Sequence, residues 1–385
     1  MIAALAIGGA GLAVWIYLLL FRGGFWLMRE RDDRALPPEP ATWPAVIAVV
    51  PARNEADVIV RSVGSLLGQD YPGTFRLVLV DDNSEDGTDR VAAEAAAAIG
   101  AADRLTLIAG QPLARGWTGK LWAVSQGVEA ASASGPAYLW ITDADIAHEP
   151  QTLRRLVARA EAGQLALVSL MARLQTGTWA ERLLIPAFVF FFDMLFPFGW
   201  VNDPRRKLAA AAGGCMLVRR EALEAAGGIA SIRGEIIDDC ALGARLKAQG
   251  PIWLGLTRTS VSLRPYGSLG DIARMVSRSA YAQLGYSPWL LAGTLAGMAL
   301  VYLAAPVLAA FGPGDARWLG LAAWALMAAA FQPMLRYYRL SPLWGLALPL
   351  IGALFTAFTV QSAIDVWRGR GGMWKGRSQA LAASS

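Results

Sequence analysis

Tyr138-Leu139-Trp140-Ile141-Thr142-Asp143-Ala144-Asp145 is an apolar run that ends in two carboxylates. A run of this kind in a parallel sheet delivers its last residues to the mouth of the sheet, where ligands bind in α/β proteins. Side chains alternate along a strand, so Asp143 and Asp145 leave on one face and Ala144 on the other. Two like charges so close are costly unless a cation or hydrogen-bond donors compensate them. A hard divalent ion, Mg²⁺ or Mn²⁺, shared with diphosphate oxygens and water meets that need. His148 stands three residues further on, but Glu149-Pro150 opens a helix there and gives the imidazole a local hydrogen-bonding role.

Working outward, similar apolar runs recur at Ala45–Val50, Phe75–Val80, Arg104–Ala109 and Leu165–Leu170, at a spacing of roughly thirty residues. Helical patterns lie between them at Ala56–Leu67, Thr88–Ile99, Lys120–Ala131 and Gln151–Ala160. Strand–helix alternation at that period predicts an α/β fold, a mostly parallel sheet with helices on both faces. The expected domain runs over 45–265, behind a Pro-rich cytoplasmic linker at 22–44.

The rest of the chain is too apolar for a soluble enzyme. Hydrophobic residues make up 55% of the 385, and the mean hydropathy is +0.39. Ile2–Phe21 is uncharged and long enough to span a bilayer. Arginines 22, 29, 31 and 34 follow it, the reverse of a signal-peptide flank, so residues 1–21 read as an uncleaved anchor with its C-terminal end in the cytoplasm. Apolar stretches at Trp289–Phe311, Trp318–Leu335 and Leu340–Ala363 predict membrane helices over 289–363, followed by a basic tail at 364–385. A third full span would put Arg368, Arg370, Lys375 and Arg377 outside, against the positive-inside rule. Leu340–Ala363 is therefore either re-entrant, as Pro342, Gly345 and Pro349 would permit, or an exception to the rule. Residues 266–288 read as an interfacial amphipathic helix. The Phe-rich element at 179–201 reads the same way, with core packing as the alternative, because a single crossing there would part the two acidic clusters.

The net charge of +5 and pI near 9.4 fit juxtamembrane arginines at anionic headgroups; no basic stripe interleaved with aromatics points to nucleic acid. Cys215 and Cys240 are the only cysteines and His148 the only histidine, which excludes iron–sulfur and structural zinc sites.

The remaining motifs fall at the predicted strand ends. Val50-Pro51-Ala52-Arg53-Asn54-Glu55 closes the first strand and enters a helix, a pocket with helix N-terminal amides or simply a cap. Val80-Asp81-Asp82-Asn83-Ser84-Glu85-Asp86-Gly87-Thr88 puts an acidic residue at the second strand end, able to accept from a base or ribose. Gly116-Trp117-Thr118-Gly119-Lys120 precedes a helix, and a glycine loop with a lysine favours a diphosphate, although it is not a P-loop. Gly213-Gly214 allows close backbone approach to a ligand. About ninety residues beyond the first acid pair, Asp238-Asp239 opens the helical pattern Asp-Asp-Cys-Ala-Leu-Gly-Ala-Arg-Leu. A separate carboxylate facing the same pocket can act as general base, and Asp239 is assigned that role with Asp238 beside it.

In this order and combination the motifs resemble the family 2 glycosyltransferases. Gly116–Ala123, Val201-Asn202-Asp203-Pro204-Arg205-Arg206 and Trp374-Lys375-Gly376-Arg377 further resemble the hopanoid-biosynthesis-associated (HpnB-like) members. The resemblance implies a GT-A fold, a nucleotide-sugar donor, a divalent metal and inversion at the anomeric carbon. Carried over, Asp81 or Asp82 would contact the nucleoside, Asp143 the ribose or metal, and Asp145 the metal. Asp239 would deprotonate the acceptor. Membrane-bound relatives carry Gln-x-x-Arg-Trp before the membrane helices, whereas Met275-Val276-Ser277-Arg278-Ser279 keeps only the arginine. That favours one transfer over processive synthesis, with Arg278, Trp374 and Arg377 then holding the diphosphate. The expectation is a multi-pass protein of the bacterial inner membrane with a cytoplasmic catalytic domain. It would move one sugar to a lipid acceptor in the bilayer, a hopanoid on the resemblance. A polyprenyl-phosphate sugar transferase and a non-catalytic scaffold retaining the fold are the alternatives.

Overall fold

The run Val46–Ala52 is buried along its whole length. In the computed structural model it forms β1, the strand from which a single eight-stranded sheet grows. The other strands are β2 (Phe75–Asp81), β3 (Leu105–Ala109), β4 (Tyr138–Ile141), β5 (Ile146–His148), β6 (Leu167–Arg173), β7 (Met216–Arg219) and β8 (Ile252–Ser262). Their spatial order is β3-β2-β1-β4-β7-β6-β8-β5. β3, β2, β1 and β4 are mutually parallel, β7 runs antiparallel between β4 and β6, and β6 is parallel to β8. β5 closes the sheet antiparallel to β8. The structure describes residues 1–370 and the backbone of 373–374 and 377–378, which pair as a short antiparallel ladder.

Register carries the functional residues to one edge. Ala52 lies opposite Asp81, so β1 and β2 end side by side. Ile141 lies opposite Met216, and because β7 is antiparallel, the Gly213-Gly214 turn before it meets the end of β4. The helix Gly119–Ser132 lies on β1 and β2 through Gly127. A Cβ there would stand 2.6 Å from Val49 Cγ1 and 2.9 Å from Val80 Cγ2, so only glycine allows the approach. Thr118 caps that helix by accepting from the Leu121 N–H at 3.4 Å, which fixes its first turn and Lys120 with it.

The chain divides into this α/β unit (Glu30–Gln175, Trp200–Arg264 and Met373–Ser385) and a helical unit (Met1–Arg29, Thr176–Gly199 and Pro265–Gly372). Among the described residues five helices are long and apolar enough to cross a membrane: Ile2–Phe21, Trp179–Val201, Pro288–Phe311, Ala316–Tyr338 and Pro342–Trp367. The Phe-rich element, expected inside residues 45–265, thus belongs to the helical unit. Thr178 and Glu181 close a capping box at its start. The Phe190 ring packs tilted against Phe25 and edge-to-face with Phe331, and Phe191 packs edge-to-face with Tyr302 and Phe355. It is packed from several sides, as in the core-packing alternative, because its aromatics occur on every face of the helix. Pro288–Phe311 contains a π-helical turn at Ala299–Leu303. The Trp15 indole N–H donates to the Val301 carbonyl in that turn at 2.9 Å.

The segment expected to be a span or a re-entrant loop starts as a 3₁₀ turn, Pro342–Ala347, and continues as the helix Leu348–Trp367. Gln332 donates to the Pro342 carbonyl at 3.2 Å and Trp324 to the Leu346 carbonyl at 3.0 Å, so the turn runs back along Ala316–Tyr338. The helix that follows passes Tyr302 at Gly352 and reaches Tyr281 at Ser362 and Trp367.

Candidate active site

Lys120 is the centre of the site. Its ammonium lies 2.9 Å from Asp143 Oδ1 and 3.3 Å from Asp238 Oδ2, joining the two acidic clusters that stand far apart in sequence. Burial alone would lower its pKa, but Asp143, Asp238 and Asp239 outweigh that and hold it above the usual lysine value. Asp239 sits in the first turn of the helix Asp238–Lys247. Its Oδ1 accepts from the Cys240 N–H at 2.8 Å and its Oδ2 from the Gly213 N–H at 3.0 Å. Burial and the neighbouring Asp238 push its carboxyl up to about 6, against the pull of Lys120. Gly213 is tightly placed: a side chain there would meet Lys120 Nζ at 3.3 Å and Asp239 Oδ2 at 3.6 Å. Gly214 follows, with its carbonyl accepting from the Thr142 hydroxyl at 2.7 Å.

Asp145, two residues along from Asp143, faces Arg264, whose Nε stands 3.8 Å from Asp145 Oδ2. The same guanidinium pairs with Glu55 and, at 3.4 Å, with Asp57. Burial, then Asp143 and Glu55, push the Asp145 carboxyl up to about 6, with Arg264 opposing. Arg264 is the residue that sequence reasoning missed. The only signal was its place just after Ser260-Val261-Ser262-Leu263, the end of a strand too rich in threonine and serine to stand out.

The residues of the β1 and β2 ends hold these two loops to each other. Arg53 donates to the Asp82 carbonyl and, at 3.1 Å, to the Asn83 carbonyl. The Asn54 amide oxygen accepts from Glu85 N–H at 2.8 Å, and Asn54 takes the left-handed conformation that asparagine tolerates. Pro51 is inside β1 opposite Val80. Asp81 Oδ2 accepts from Ser84 N–H at 3.1 Å, while its Oδ1 is buried with no hydrogen-bond partner. A buried acceptor left open at a strand end suits a donor N–H or O–H from a ligand.

Lys120, Asp143, Gly213, Gly214, Asp238 and Asp239 are thus brought together, while Arg264 joins Glu55 to Asp145, two residues along from Asp143. Arg278 lies on the helix Leu269–Ala280 of the other unit. The Trp374 and Arg377 side chains fall outside the described residues. Lys120, expected to face a diphosphate, is held by carboxylates. His148 is enclosed by Thr142 and Ser260, at 3.0 and 2.9 Å from its two ring nitrogens, and is not a metal ligand in this arrangement.

A mostly parallel sheet with acids at its carboxyl edge and a glycine turn beside them matches known proteins over most of its length. Residues 47–227 match Glycosyl transferase family 2. They form a glycosyltransferase domain. The mannosyltransferase PcManGT from Pyrobaculum calidifontis, solved with GDP-Man and Mn²⁺, is 20% identical, with 95% of this chain and 99% of that one covered at a TM-score of 0.56. That likeness establishes a GT-A fold. Glucosyl-3-phosphoglycerate synthase from Mycobacterium tuberculosis, solved with Mg²⁺ and UDP, is 18% identical over 63% of this chain and 79% of that one, at a TM-score of 0.42. S. aureus TarS with UDP-GlcNAc is 13% identical over 86% and 95%, at 0.38. No curated protein sequence matches the chain.

The donor set suits a hard divalent ion. Asp143 and Asp145 are potential oxygen ligands at one strand end, and the upward shift of Asp145, set first by burial and then by the nearby Asp143 and Glu55 carboxylates, is one that a cation would oppose. Among the described residues no three His, Cys, Asp or Glu side chains are grouped closely enough to hold an ion alone. The protein would then contribute two ligands, leaving the other positions to phosphate oxygens and water.

Proposed function

We propose that this protein is a membrane-bound, metal-dependent, inverting glycosyltransferase that moves one sugar from a nucleotide-diphosphate donor to a lipid hydroxyl or phosphate. The observation that carries the reading is the ammonium of Lys120 between Asp143 and Asp238, with Asp239 beside it, at the edge of a glycosyltransferase domain. Asp239 is poised as the base. With a carboxyl near 6 it is mostly ionised at neutral pH, yet more basic than a free aspartate. Two backbone N–H groups fix its oxygens, so the carboxylate does not rotate away. As the acceptor oxygen attacks the anomeric carbon, Asp239 takes its proton. The bond from that carbon to the donor phosphate breaks, with its electron pair leaving on the diphosphate. Attack from the face opposite the leaving group inverts the centre. A divalent ion bound by Asp143 and Asp145 would neutralise the diphosphate charge. Lys120 keeps the two acid clusters together and supplies positive charge beside the base. Asp81 would take the nucleoside, with Pro51, Arg53, Asn54, Glu55 and Asp82 shaping that pocket.

The chain tethers this domain to the bilayer, so a lipid acceptor is encountered on a surface rather than searched for in volume. A hopanoid is the acceptor suggested by the sequence resemblance. Two features support a topology that keeps the domain on one side. β6 and β7 are hydrogen-bonded neighbours, Leu167 opposite Val218, so the Thr176–Gly199 insertion between them leaves and returns on the same side. Pro342–Ala347 runs back along Ala316–Tyr338, and Leu348–Trp367 then runs back along Pro288–Leu303, so this segment also re-emerges where it entered. Arg22, Arg336, Arg339, Arg368 and Arg370 then share one side, the cytoplasmic one.

The test is mass spectrometry of lipid products from purified wild type and Asp239→Asn. Each receives GDP-mannose, UDP-glucose or UDP-GlcNAc with Mn²⁺ or Mg²⁺, and hopanoid or polyprenyl-phosphate acceptors. A hexose-type mass gain that needs the metal and disappears in the variant is expected. Equal product from both proteins would remove Asp239 from the chemistry, and none from either, with nucleotide still bound, would favour a scaffold.

A further inference from the structure

The imidazole of His148 is 5% exposed, and the mechanism above does not use it. It nevertheless lies in a chain of hydrogen bonds that ends on the glycine turn holding the proposed base. Thr142 Oγ1 donates its one proton to the Gly214 carbonyl at 2.7 Å, so toward His148 Nε2, 3.0 Å away, it acts as acceptor. Nε2 therefore carries the ring proton. Nδ1 is left as the acceptor, 2.9 Å from the hydroxyl of Ser260 on β8. Burial lowers the imidazole to about 3, which keeps the ring neutral. The chain Ser260–His148–Thr142 thus terminates on the Gly214 carbonyl. One residue earlier, the Gly213 N–H is the donor that holds Asp239 Oδ2.

We infer that His148, as its Nε2–H tautomer, is a positioning residue for Asp239, acting through the Thr142 hydroxyl and the Gly213-Gly214 turn. Two further ties hold the same turn and locate the effect. The Trp140 indole N–H donates to Cys215 Sγ at 3.3 Å, and Ser169 Oγ accepts from the Ala212 N–H at 2.8 Å. These fix the turn on its flanks, while the Thr142 contact is the one on Gly214 itself. Trp140 also packs against the imidazole, ring centres 4.5 Å apart, so the ring has no room to rotate to another partner. The role requires a donor at the Nε2 position, not a charge. Glutamine meets that requirement and methionine, of similar volume, does not.

The inference rests on Asp239 as the base, and its test separates the two. Full-length His148→Met, His148→Gln, Thr142→Val and Thr142→Ser are compared with wild type in steady-state turnover, on whichever of GDP-mannose, UDP-glucose or UDP-GlcNAc wild type uses. His148→Met and Thr142→Val are expected to lower kcat about tenfold with donor KM within about twofold. The glutamine and serine variants should recover most of the rate, and His148→Met combined with Thr142→Val should be no slower than Thr142→Val alone. Hydrogen exchange at residues 212–216 gives a readout that needs no turnover. It should quicken in the Met and Val variants and stay near wild type in the Gln and Ser variants. Unchanged exchange there, a kcat within twofold in His148→Met, or equal losses in the Gln and Met variants would each overturn the positioning role. Loss of activity in Asp239→Asn with wild-type behaviour in His148→Met would sink this inference alone and leave the proposed base standing.

Discussion

Replacing Lys120 by methionine keeps the length of the side chain and removes its charge, which asks whether the ammonium serves the base or the leaving group. Nζ of Lys120 and Oδ2 of Asp239 lie 3.3 and 3.6 Å from one common point, the place a Gly213 side chain would take, so they are within about 7 Å of each other. Opposite unit charges at that range attract by ~2 kcal/mol at an effective dielectric of ~20, and by ~1 kcal/mol if water doubles that value. The equivalent is roughly one to two pKa units on Asp239. The sign is set by the chemistry: the base must be ionised, so activity falls as pH drops through its pKa. Wild type should show an acid limb in kcat near pH 6, and Lys120→Met should show the same limb about one unit higher or more. The variant then loses roughly fivefold or more at the wild-type midpoint and little at high pH, where both carboxylates are ionised. The assay is kcat against pH at saturating donor and metal, with product counted by mass spectrometry. A loss of the same factor at every pH would refute the reasoning and assign Lys120 to the departing diphosphate instead.

Gly213→Ala should lower kcat about tenfold without lowering thermal stability, because the new methyl meets the ends of Lys120 and Asp239 rather than backbone; steady-state kinetics beside a melting curve checks it. Arg264 lies 3.8 Å from Asp145 and opposes the upward shift of that carboxyl. Arg264→Met removes a cation that competes for that carboxylate, so it should lower the Mn²⁺ needed for half-maximal rate at pH 8; at pH 6, where the ion must also displace a proton that the variant holds more tightly, the gain should shrink. Glu181 is buried, and its carboxylate accepts from Thr178 N–H at 2.8 Å and Tyr266 N–H at 2.7 Å. Glu181→Ala leaves both donors without that partner and should destabilise the helical unit by about 2–3 kcal/mol, read as earlier thermal unfolding in detergent. For the topology, single cysteines replacing Gly314 and Arg370, in a background with Cys215→Ala and Cys240→Ser, should be labelled from opposite sides of sealed vesicles; labelling from the same side would exclude the re-entrant segment.

Much of the sheet was legible because its strands are short apolar runs at a regular interval. The expected Ala45–Val50 is β1 to within two residues, and Thr88–Ile99 is the helix Thr88–Ala98. β5 and β8 were not legible. Ile146–His148 has three residues, too few for a pattern, and Ile252–Ser262 alternates with threonine and arginine because those side chains are used inside the fold. Thr257 and Thr259 both donate to the buried Asp32 there, and Arg31 pairs with β8 beside them. The place of Thr176–Gly199 in the helical unit was hidden for a different reason. Residues 179–201 interrupt the domain sequence, yet their aromatics find partners on Phe25, Phe331 and Phe355, contacts between segments too distant in sequence for any local pattern to reveal.

The candidate site divides the same way. Composition exposed the acids, since two carboxylates at the end of an apolar strand and two at a helix start have few structural reasons to be there. It did not reveal what neutralises them. Lys120 stands between Asp143 and Asp238 because the β1–β4 register and the glycine contact at Gly127 set the helix Gly119–Ser132 at one height on the sheet. Arg264 faces Asp145 and Glu55 because β8 ends at the same edge. Lys120 therefore bridges the two acid pairs through Asp143 and Asp238, while Arg264 meets the strand-end pair at Asp145. That arrangement has a chemical consequence. A divalent ion drawn to Asp143 and Asp145 competes for carboxylates with both cations, whereas Asp239, held by two backbone N–H groups, keeps its orientation whichever cation its neighbours hold.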